Sequence, residues 1–395
     1  MFQEPPSVLP DTFSIEVPDK RILSLDVFRG ATIVGMILVN NPGTWAAIYP
    51  PLRHAEWHGW TPTDLIFPFF LFIVGVAIVF AYTRRMVQGV PRGRLLKKAL
   101  RRSIILFGLG LLLHAFPYVT FEPSFAIHPR IAHLRIMGVL QRIALCYLVA
   151  SLLFLYVRPR LWQGLLVLLL LGYWALMSWI PVPGYGAGVW DSPDSSLAAY
   201  LDRLILGSHT WGQRPYDPEG LLSTLPAIGT TLLGVWAGIR LIQSREGAWK
   251  VAEIMVLGFG LIIIGYIWDW FFPINKSLWT SSYAVFTGGI AMCMLGMLYW
   301  FIDVHGHTRW TRPFVIYGIN AITVFFLSGI LGRLLIMIKV SDGEKTVALQ
   351  RYIFTHVFSG VGSPEFASLL YAMVWVIGWY AILYLMYKKN IVIKV

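Results

Sequence analysis

Apolar residues fill most of this 395-residue chain in runs of 18 or more, and short polar turns separate the runs. A run of that length is long enough for a helix that crosses a bilayer. The pattern therefore predicts an all-α protein, a polytopic bundle of about ten transmembrane helices. The predicted spans are 25–45, 63–83, 103–119, 136–156, 161–181, 221–241, 251–271, 280–302, 313–335 and 366–387.

Composition and charge agree with a membrane protein. Only 13% of the residues are charged, whereas a soluble domain carries about 25%, which excludes an ordinary cytosolic enzyme and a disordered protein. The net charge of +12 would suit a nucleic-acid binder if it were clustered on one soluble face. However, 20 of the 32 Lys and Arg residues lie on one side of the predicted spans and nine on the other. Because basic residues are retained in the cytoplasm, we expect both termini there and no nucleic-acid partner.

These boundaries divide the chain into three parts. Residues 1–24 are predicted to be a cytoplasmic segment without a cleavable signal, residues 25–387 a single transmembrane domain, and residues 388–395 a cytoplasmic tail. The outer loops are predicted at about 46–62, 182–220 and 336–365. A GxxxG match at Gly234 and Gly238 suggests close helix packing in the sixth span.

Polar side chains within apolar spans are costly, so each one is a candidate for function. Asp26 and Arg29 open the first span and could simply form an ion pair three residues apart. Asn40 and Asn41 end the same span just before Pro-Gly, where asparagine is common in turns.

Further candidates lie in later spans and turns. Arg142 falls inside the fourth span beside Gln141, and a buried arginine is expected to pair with a carboxylate or a bound anion rather than face lipid. Asn320 would form an interhelical hydrogen bond in the ninth span. The remaining candidates, in a tight outer turn, are Asn275, Lys276 and Trp279.

The loop after the first span reads RHAEWHGWTPTD. His54, Glu56 and His58 follow the order HxExH rather than the HExxH of zinc enzymes, and nearby prolines and a glycine disfavour a helix, so no metal is predicted. Asp64 fits the capping box of a helix that begins after Thr61. His54 has no comparable structural role, and an imidazole there could accept a proton near neutral pH.

Six segments together resemble the heparan-α-glucosaminide N-acetyltransferase family of transmembrane acetyltransferases. They occur in the family's order: RILSLDVFRGATIVGMILVNN, RHAEWHGWTPTDLIFPFFLFIVG, RIMGVLQRIALCY, YDPEGLLSTLPAIGTTLLGVWAG, INKSLWTSSY and YGINAITVFF. The resemblance places the family's active-site histidine on His54, in a loop of the form (K/R)HAxWxG, and the preceding asparagine on Asn40. Three extra residues separate the two positions, so Asn41 also stays a candidate. We expect the chain to lack the large extramembrane N-terminal domain of the lysosomal members, which leaves the heparan-type acceptor open.

The resemblance implies transfer of an acetyl group from cytoplasmic acetyl-CoA to the amine of an amino sugar or glycan glucosamine on the outer side. It implies His54 as general base or acetyl-carrying nucleophile, and Asn40 as a donor to the thioester oxygen. The residues expected to bind CoA or substrate are Asp26, Arg29, Asn41, Asp64, Gln141, Arg142, Asn275, Lys276, Trp279 and Asn320. In a bacterium the membrane would be the inner one, and a homodimer is compatible with the apolar exterior.

Two alternatives remain from the sequence. A secondary transporter could use Asp26, Asp64 and Asp269 as ion sites, but no paired discontinuous helices are apparent. An O-acyltransferase of an envelope glycan is expected to carry a histidine where this chain has the helix-end VNN. Acetyl-CoA binding would separate an acetyltransferase from a transporter.

Overall fold

The computed structural model describes residues 22–120 and 125–393. The predicted cytoplasmic segment 1–24 therefore lies almost wholly outside the described residues, as does Lys394 in the tail. The described chain is mostly helical, which confirms the all-α prediction. Its helices are α1 (Leu23–Asn40), α2 (Ile66–Val87), α3 (Arg92–Ala115), α4 (Val139–Tyr156), α5 (Pro159–Trp179), α6 (Leu197–Ile205), α7 (Thr224–Leu241), α8 (Gly247–Asp269), α9 (Ser281–Tyr299), α10 (Arg312–Ile319), α11 (Ala321–Met337), α12 (Leu349–Ile353) and α13 (Pro364–Lys388).

Strands are few and short in the described residues. β1 (Val119–Thr120) pairs antiparallel with β2 (Ala126–Ile127), and β3 (Lys339–Asp342) pairs antiparallel with β4 (Lys345–Ala348). The second hairpin and α12 lie within the predicted outer loop 336–365, and α6 lies within the predicted outer loop 182–220.

Eight of the described helices are long and apolar enough to cross a membrane, and α10 with α11 makes a ninth if the bent pair counts as one span. The pair is bent by 77° at Asn320. The remaining predicted span, the third (103–119), falls on the second half of α3, whose first half carries six Lys and Arg residues. The apolar part of α3 is about 13 residues, or about 20 Å, short of the roughly 30 Å of a hydrocarbon core.

The chain forms two compact units. The first comprises the described residues up to Leu25, Trp57–Gly59 and Pro68–Gly306, and the second comprises Asp26–Glu56, Trp60–Phe67 and the described residues from His307. The loop that contains His54 and His58 therefore contributes to both units along its length.

Glycines allow the helices of the first unit to approach closely. A Cβ on Gly75 of α2 would lie 2.0 Å from the Thr231 carbonyl oxygen, and one on Gly234 of α7 would lie 2.0 Å from the Phe72 carbonyl oxygen. A Cβ on Gly238 would come within 2.9 Å of Val79. The packing predicted from the GxxxG match is therefore confirmed, and its partner is α2.

In the second unit, α1 packs on α10 in the same manner. A Cβ on Gly30 would overlap the Phe314 carbonyl oxygen. Asp26 and Arg29 form the expected ion pair at the start of α1. The prediction for Asn320 was wrong in its partner, because the helix breaks at this residue. Its amide donates to the Ile391 carbonyl oxygen at 3.2 Å and accepts from the Ile393 N–H at 3.0 Å, which holds the C-terminal segment.

Candidate active site

His54 and Asp64 form the closest contact between titratable side chains in the loop after α1. The imidazole Nδ1 lies 2.6 Å from Asp64 Oδ1. The Asp64 side chain is only 1% exposed, whereas that of His54 is 47% exposed. Because a carboxylate accepts and does not donate, the contact places a proton on Nδ1, and in the neutral ring this tautomer has its lone pair on Nε2. The pair thus presents a half-exposed imidazole backed by a buried carboxylate.

Asp64 is held in place by the start of the helix that the sequence predicts. Pro62–Leu65 forms a short 3₁₀ turn that leads into α2. The Thr61 N–H donates to Asp64 Oδ2 at 3.1 Å, and the Asp64 N–H donates back to the Thr61 carbonyl oxygen at 2.9 Å. The capping role of Asp64 is therefore confirmed. Its contact with His54 was missed, because the two residues are ten apart in an irregular loop that has no repeat to align them.

The remainder of this loop is fixed by side-chain contacts to its own backbone. Arg53 Nε donates to the Ile48 carbonyl oxygen at 2.7 Å, and Thr61 Oγ1 donates to the Arg53 carbonyl oxygen at 2.6 Å. The Ala55 N–H donates to Asp64 Oδ2 at 3.0 Å. The backbone on both sides of His54 is thus tied down, which limits the positions that the imidazole can take.

The two asparagines at the end of α1 differ in what their side chains do. Asn41 Nδ2 donates to the Ile37 carbonyl oxygen at 2.8 Å and so satisfies one of the last carbonyl groups of the helix. Asn40 is exposed and, within the described part of the chain, its side chain makes no hydrogen bond. The whole amide of Asn40 is therefore open to a substrate, whereas one N–H of Asn41 already serves the helix end.

Three residues of the loop after His54, Trp57–Gly59, belong to the first unit. Trp57 Nε1 donates to the Trp190 carbonyl oxygen at 2.8 Å, and the Gly59 N–H donates to the Ile274 carbonyl oxygen at 2.7 Å, with Gly59 at a φ of +88°. His58 Nε2 lies 3.2 Å from an Asp191 carboxylate that is 82% exposed. The Asn275 amide lies 3.4 Å from His58 Nδ1. Contacts within the first unit therefore hold this segment in place.

Arg142 is fully buried in α4. It donates to the Gly220 carbonyl oxygen at 3.1 Å and to the Ser223 hydroxyl, and its guanidinium carbon lies 5.1 Å from the centre of the Trp279 ring. The prediction that Arg142 faces protein rather than lipid is confirmed. Of its two predicted partners, no carboxylate hydrogen-bonds to it among the described residues, and a bound anion stays a prediction. The described residues place neutral oxygens and an aromatic face around it instead.

Several buried polar atoms at Arg142 and its neighbour, donors and one acceptor, lack hydrogen-bond partners among the described residues. They are Arg142 Nε and Nη1, together with both amide atoms of Gln141. Orphaned buried polar atoms are costly, so this position can accept a polar or anionic group. Asn275, whose Oδ1 accepts from the Leu278 N–H at 2.9 Å, belongs to the same unit, as does the half-buried Lys276.

A second charged cluster, which the sequence interpretation missed, precedes α7. Arg135 donates to Asp217 Oδ2 at 2.8 Å and also to Glu219. Burial alone would raise the pKa of Glu219, but the charge of Arg135 holds that pKa below its ordinary value. Burial raises the pKa of Asp202 to about 6, although the Leu221 and Asp217 N–H groups donate to its carboxylate. The cluster fixes the turn whose Gly220 carbonyl receives Arg142.

Comparison with known proteins connects these residues to a family. The family model described as "Heparan-alpha-glucosaminide N-acetyltransferase, catalytic" matches residues 21–266. The protein named heparan-alpha-glucosaminide N-acetyltransferase from Homo sapiens is 31% identical over 370 residues, which cover 80% of this chain and 54% of the human protein. The chain belongs to this family.

The Mus musculus protein of the same name is also 31% identical, over 357 residues that cover 77% of this chain and 53% of the mouse protein. The chain thus spans about half the length of the curated relatives it matches. Together with its apolar helices, membership of the family identifies it as an integral membrane protein. Within the heparan-alpha-glucosaminide N-acetyltransferase family match lie Asn40, His54, Asp64 and Arg142, whereas Trp279 and Asn320 lie beyond it.

Proposed function

We propose that this protein is a transmembrane acetyltransferase that moves an acetyl group from cytoplasmic acetyl-CoA to an amine on the outer side of the membrane. The acceptor is an amino sugar or a glycan glucosamine. The carrying observation is the half-exposed His54 imidazole, which Asp64 holds at 2.6 Å in a loop that lies within the family match. The name of the human and mouse relatives supports the reaction class.

His54 can serve the transfer in two ways. As general base it takes a proton from the acceptor amine on Nε2, while the amine nitrogen bonds to the thioester carbonyl carbon and the carbon–sulfur bond breaks, so that CoA leaves as a thiolate. As nucleophile its Nε2 bonds to that carbon first, while the carbon–sulfur bond breaks and CoA leaves as a thiolate. The amine nitrogen then bonds to the acetyl carbon, the bond from that carbon to Nε2 breaks, and the amine proton passes to the released Nε2. In both routes the buried Asp64 orients the ring and stabilises the imidazolium form.

Asn40 is the residue that we assign to the developing negative charge on the thioester oxygen. Its amide is exposed at the end of α1, in the same unit as His54. Loss of one such donor typically reduces the rate by about 10²–10³-fold. Asn41 is less suited, because the Ile37 carbonyl oxygen already uses its amide.

We propose that Arg142, with the neighbouring Gln141, binds a CoA phosphate or a carbonyl oxygen of a substrate. Its unsatisfied Nε and Nη1 support this assignment. Asn275, Lys276 and Trp279 are proposed to bind substrate in the same unit. Asp26, Arg29 and Asn320 have structural contacts that account for them without a ligand.

One observation favours the transporter alternative, and another speaks against it. The bent pair α10–α11 is a discontinuous helix, which transporters use at ion sites. However, the three aspartates that an ion site would require have other contacts. Asp26 pairs with Arg29, Asp64 with His54, and Asp269 accepts from the Ile274 N–H at 2.5 Å. The acetyltransferase is therefore the function that we favour.

The reaction is tested with the purified full chain, acetyl-CoA labelled in the acetyl group, and a panel of amino sugars, muropeptides and glycan fragments. We expect label in the N-acetyl product of at least one amine. Without acceptor, retention of label on the protein indicates the nucleophilic route, and no retention indicates direct transfer. Failure to bind acetyl-CoA or to label any amine would overturn the proposal.

The proposed direction is tested with single cysteines. Glu56 and Gln88 are both exposed, so cysteine there should disturb little packing, whereas Trp57 is held by Trp190. We expect Glu56→Cys to react with an impermeant maleimide from outside and Gln88→Cys to react only after permeabilisation. The reverse result would overturn the direction of transfer. A cysteine in the C-terminal tail tests whether α3 crosses the membrane. With the nine other spans alone the two termini would lie on opposite sides, so both are cytoplasmic only if α3 also crosses.

A further inference from the structure

A cleft in the second unit is built from the chain segments next to both proposed catalytic residues. Val39 and Pro42 flank the two asparagines, and Ile48 and Tyr49 precede Arg53 and His54 by a few residues. The third wall is the first half of α13. The cleft is thus bordered by the chain segments that carry Asn40 and lead to His54, although neither residue lines it.

Hydrogen bonds fix these walls to one another. The Gly43 N–H donates to the Ser368 carbonyl oxygen at 3.2 Å, and the Thr44 N–H donates to Ser368 Oγ at 3.1 Å. Ser368 Oγ in turn donates to the Thr44 carbonyl oxygen at 3.1 Å. The turn after α1 is therefore attached to α13, and the cleft does not depend on a loose loop.

Glu365 is the only carboxylate among the described residues that line the cleft, and the other lining groups are mostly apolar. It lies in the first turn of α13, on the same face as Ser368, Leu369 and Ala372. In the described chain no Lys, Arg or His lies within ion-pair distance of it. A carboxylate beside an apolar wall and without a cation is suited to a ligand that brings a positive charge.

The size of the cleft limits which part of a ligand can enter. Its space is about 260 Å³, open solvent included, and a water-sized group fits between its walls at about one position. An ammonium group is of that size, whereas a sugar ring is not. The ring would stay at the rim, where the 37% exposed Tyr49 offers an aromatic face.

We propose that Glu365 binds the protonated amine of the acceptor in this cleft and so selects amino sugars over neutral sugars. The proposal rests on the proposed function, since it assigns an acceptor subsite to the same reaction. Glu365 would hold the ammonium ion on arrival, before an amine proton passes to His54. It is a specificity residue rather than a proton acceptor in the transfer.

The kinetic test compares Glu365→Gln with Glu344→Gln, a second glutamate of the same unit that is exposed in the β3–β4 turn. With D-glucosamine as acceptor, we expect Glu365→Gln to raise the KM about tenfold, since a hydrogen bond to a charged group contributes about that much or more. The KM for acetyl-CoA should not change, and Glu365→Asp should restore part of the affinity. If Glu365 only supports the helix start, thermal stability falls but the KM for glucosamine stays at the wild-type value, which would overturn the proposal.

An equilibrium measurement decides the question without turnover. Titration calorimetry of the full chain should show D-glucosamine binding about tenfold more tightly than D-glucose, and Glu365→Gln should remove this preference while Glu344→Gln keeps it. If glucosamine is preferred but no amine is acetylated, the acetyltransferase proposal fails and the subsite stands. If acetyl transfer occurs and wild type and Glu365→Gln bind both sugars alike, the subsite is overturned and the acetyltransferase stands.

Discussion

Two histidine–aspartate contacts occur four residues apart in one loop, and they differ in almost every physical respect. His54 Nδ1 lies 2.6 Å from Asp64, whose side chain is 1% exposed. His58 Nε2 lies 3.2 Å from Asp191, whose side chain is 82% exposed. The first contact lies within the second unit and the other within the first.

The difference shows why proximity of a histidine to a carboxylate is not enough to identify a catalytic pair. Asp64 also accepts from the Ala55 and Thr61 N–H groups, so it cannot turn away from His54 without losing buried hydrogen bonds. Asp191 can rotate into water, and an exposed ion pair contributes only about 0–1 kcal/mol. His54 is therefore oriented for chemistry, whereas His58 belongs to a segment that packing holds in place.

The largest expected effect separates the two histidines. His54→Ala should reduce acetyl transfer by about 10²–10⁴-fold, the usual contribution of a general acid–base residue, with acetyl-CoA binding retained. His58→Ala should keep most of the activity. Steady-state rates with labelled acetyl-CoA and glucosamine measure both variants, and size-exclusion profiles check that each is folded.

Either of two results would contradict the roles assigned to the two histidines. A wild-type rate in His54→Ala would remove it from the reaction, whichever route applies. If His58→Ala loses transfer while His54→Ala keeps it, the catalytic histidine is His58 in the first unit. The family's active-site motif would then be aligned wrongly by four residues.

Sequence alone predicted much of the helical fold, because a bilayer requires long apolar runs and such runs are visible. It could not show the break at Asn320, since the run through α10 and α11 stays apolar on both sides. The sequence also predicted a span at 103–119; the helix there continues from a basic segment, and its crossing of the membrane stays a prediction. The charge pattern indicates on which side a loop lies but not where a helix bends.

At the site, the sequence identified single residues better than their partners. His54 stood out because nothing structural explained it, and Asp64 was assigned correctly to a cap. Their contact depends on how an irregular loop closes around Gly59 and Pro62, and no periodicity encodes it. Arg142 likewise was predicted to be buried, but its partners Gly220 and Ser223 follow it by about 80 residues.

A smaller rate effect is expected at the adjacent asparagines, which extend the comparison from histidines to amides. Asn40→Ala should lower the rate by about 10²–10³-fold through loss of an oxyanion donor, with little change in stability. Asn41→Ala should instead lower the unfolding free energy by about 1 kcal/mol, because the Ile37 carbonyl oxygen loses its partner. Rates and thermal unfolding of both variants measure the two effects, and reversed effects would transfer the oxyanion role to Asn41.

The smallest expected rate effect concerns the two aspartates. Asp64→Asn keeps the size of the side chain but offers His54 an amide in place of a carboxylate, which favours the wrong ring tautomer and removes the charge that stabilises imidazolium. The imidazole itself remains, so we expect a loss of about 10–10²-fold, the order found when a carboxylate that orients a metal-bound histidine is removed.

Asp191→Asn should leave the rate unchanged, because its contact is exposed and weak. Since Asp64 also caps a turn, Thr61→Ala serves as a control. It removes the hydroxyl that lies within hydrogen-bond distance of Asp64 Oδ2 and of the Arg53 carbonyl oxygen, so it loosens the same turn and keeps the carboxylate next to His54. If Thr61→Ala loses as much rate as Asp64→Asn at equal loss of thermal stability, the role of Asp64 is only structural. A rate that falls in Asp64→Asn alone, with wild-type KM for acetyl-CoA, shows that burial of the carboxylate is what distinguishes the two histidines.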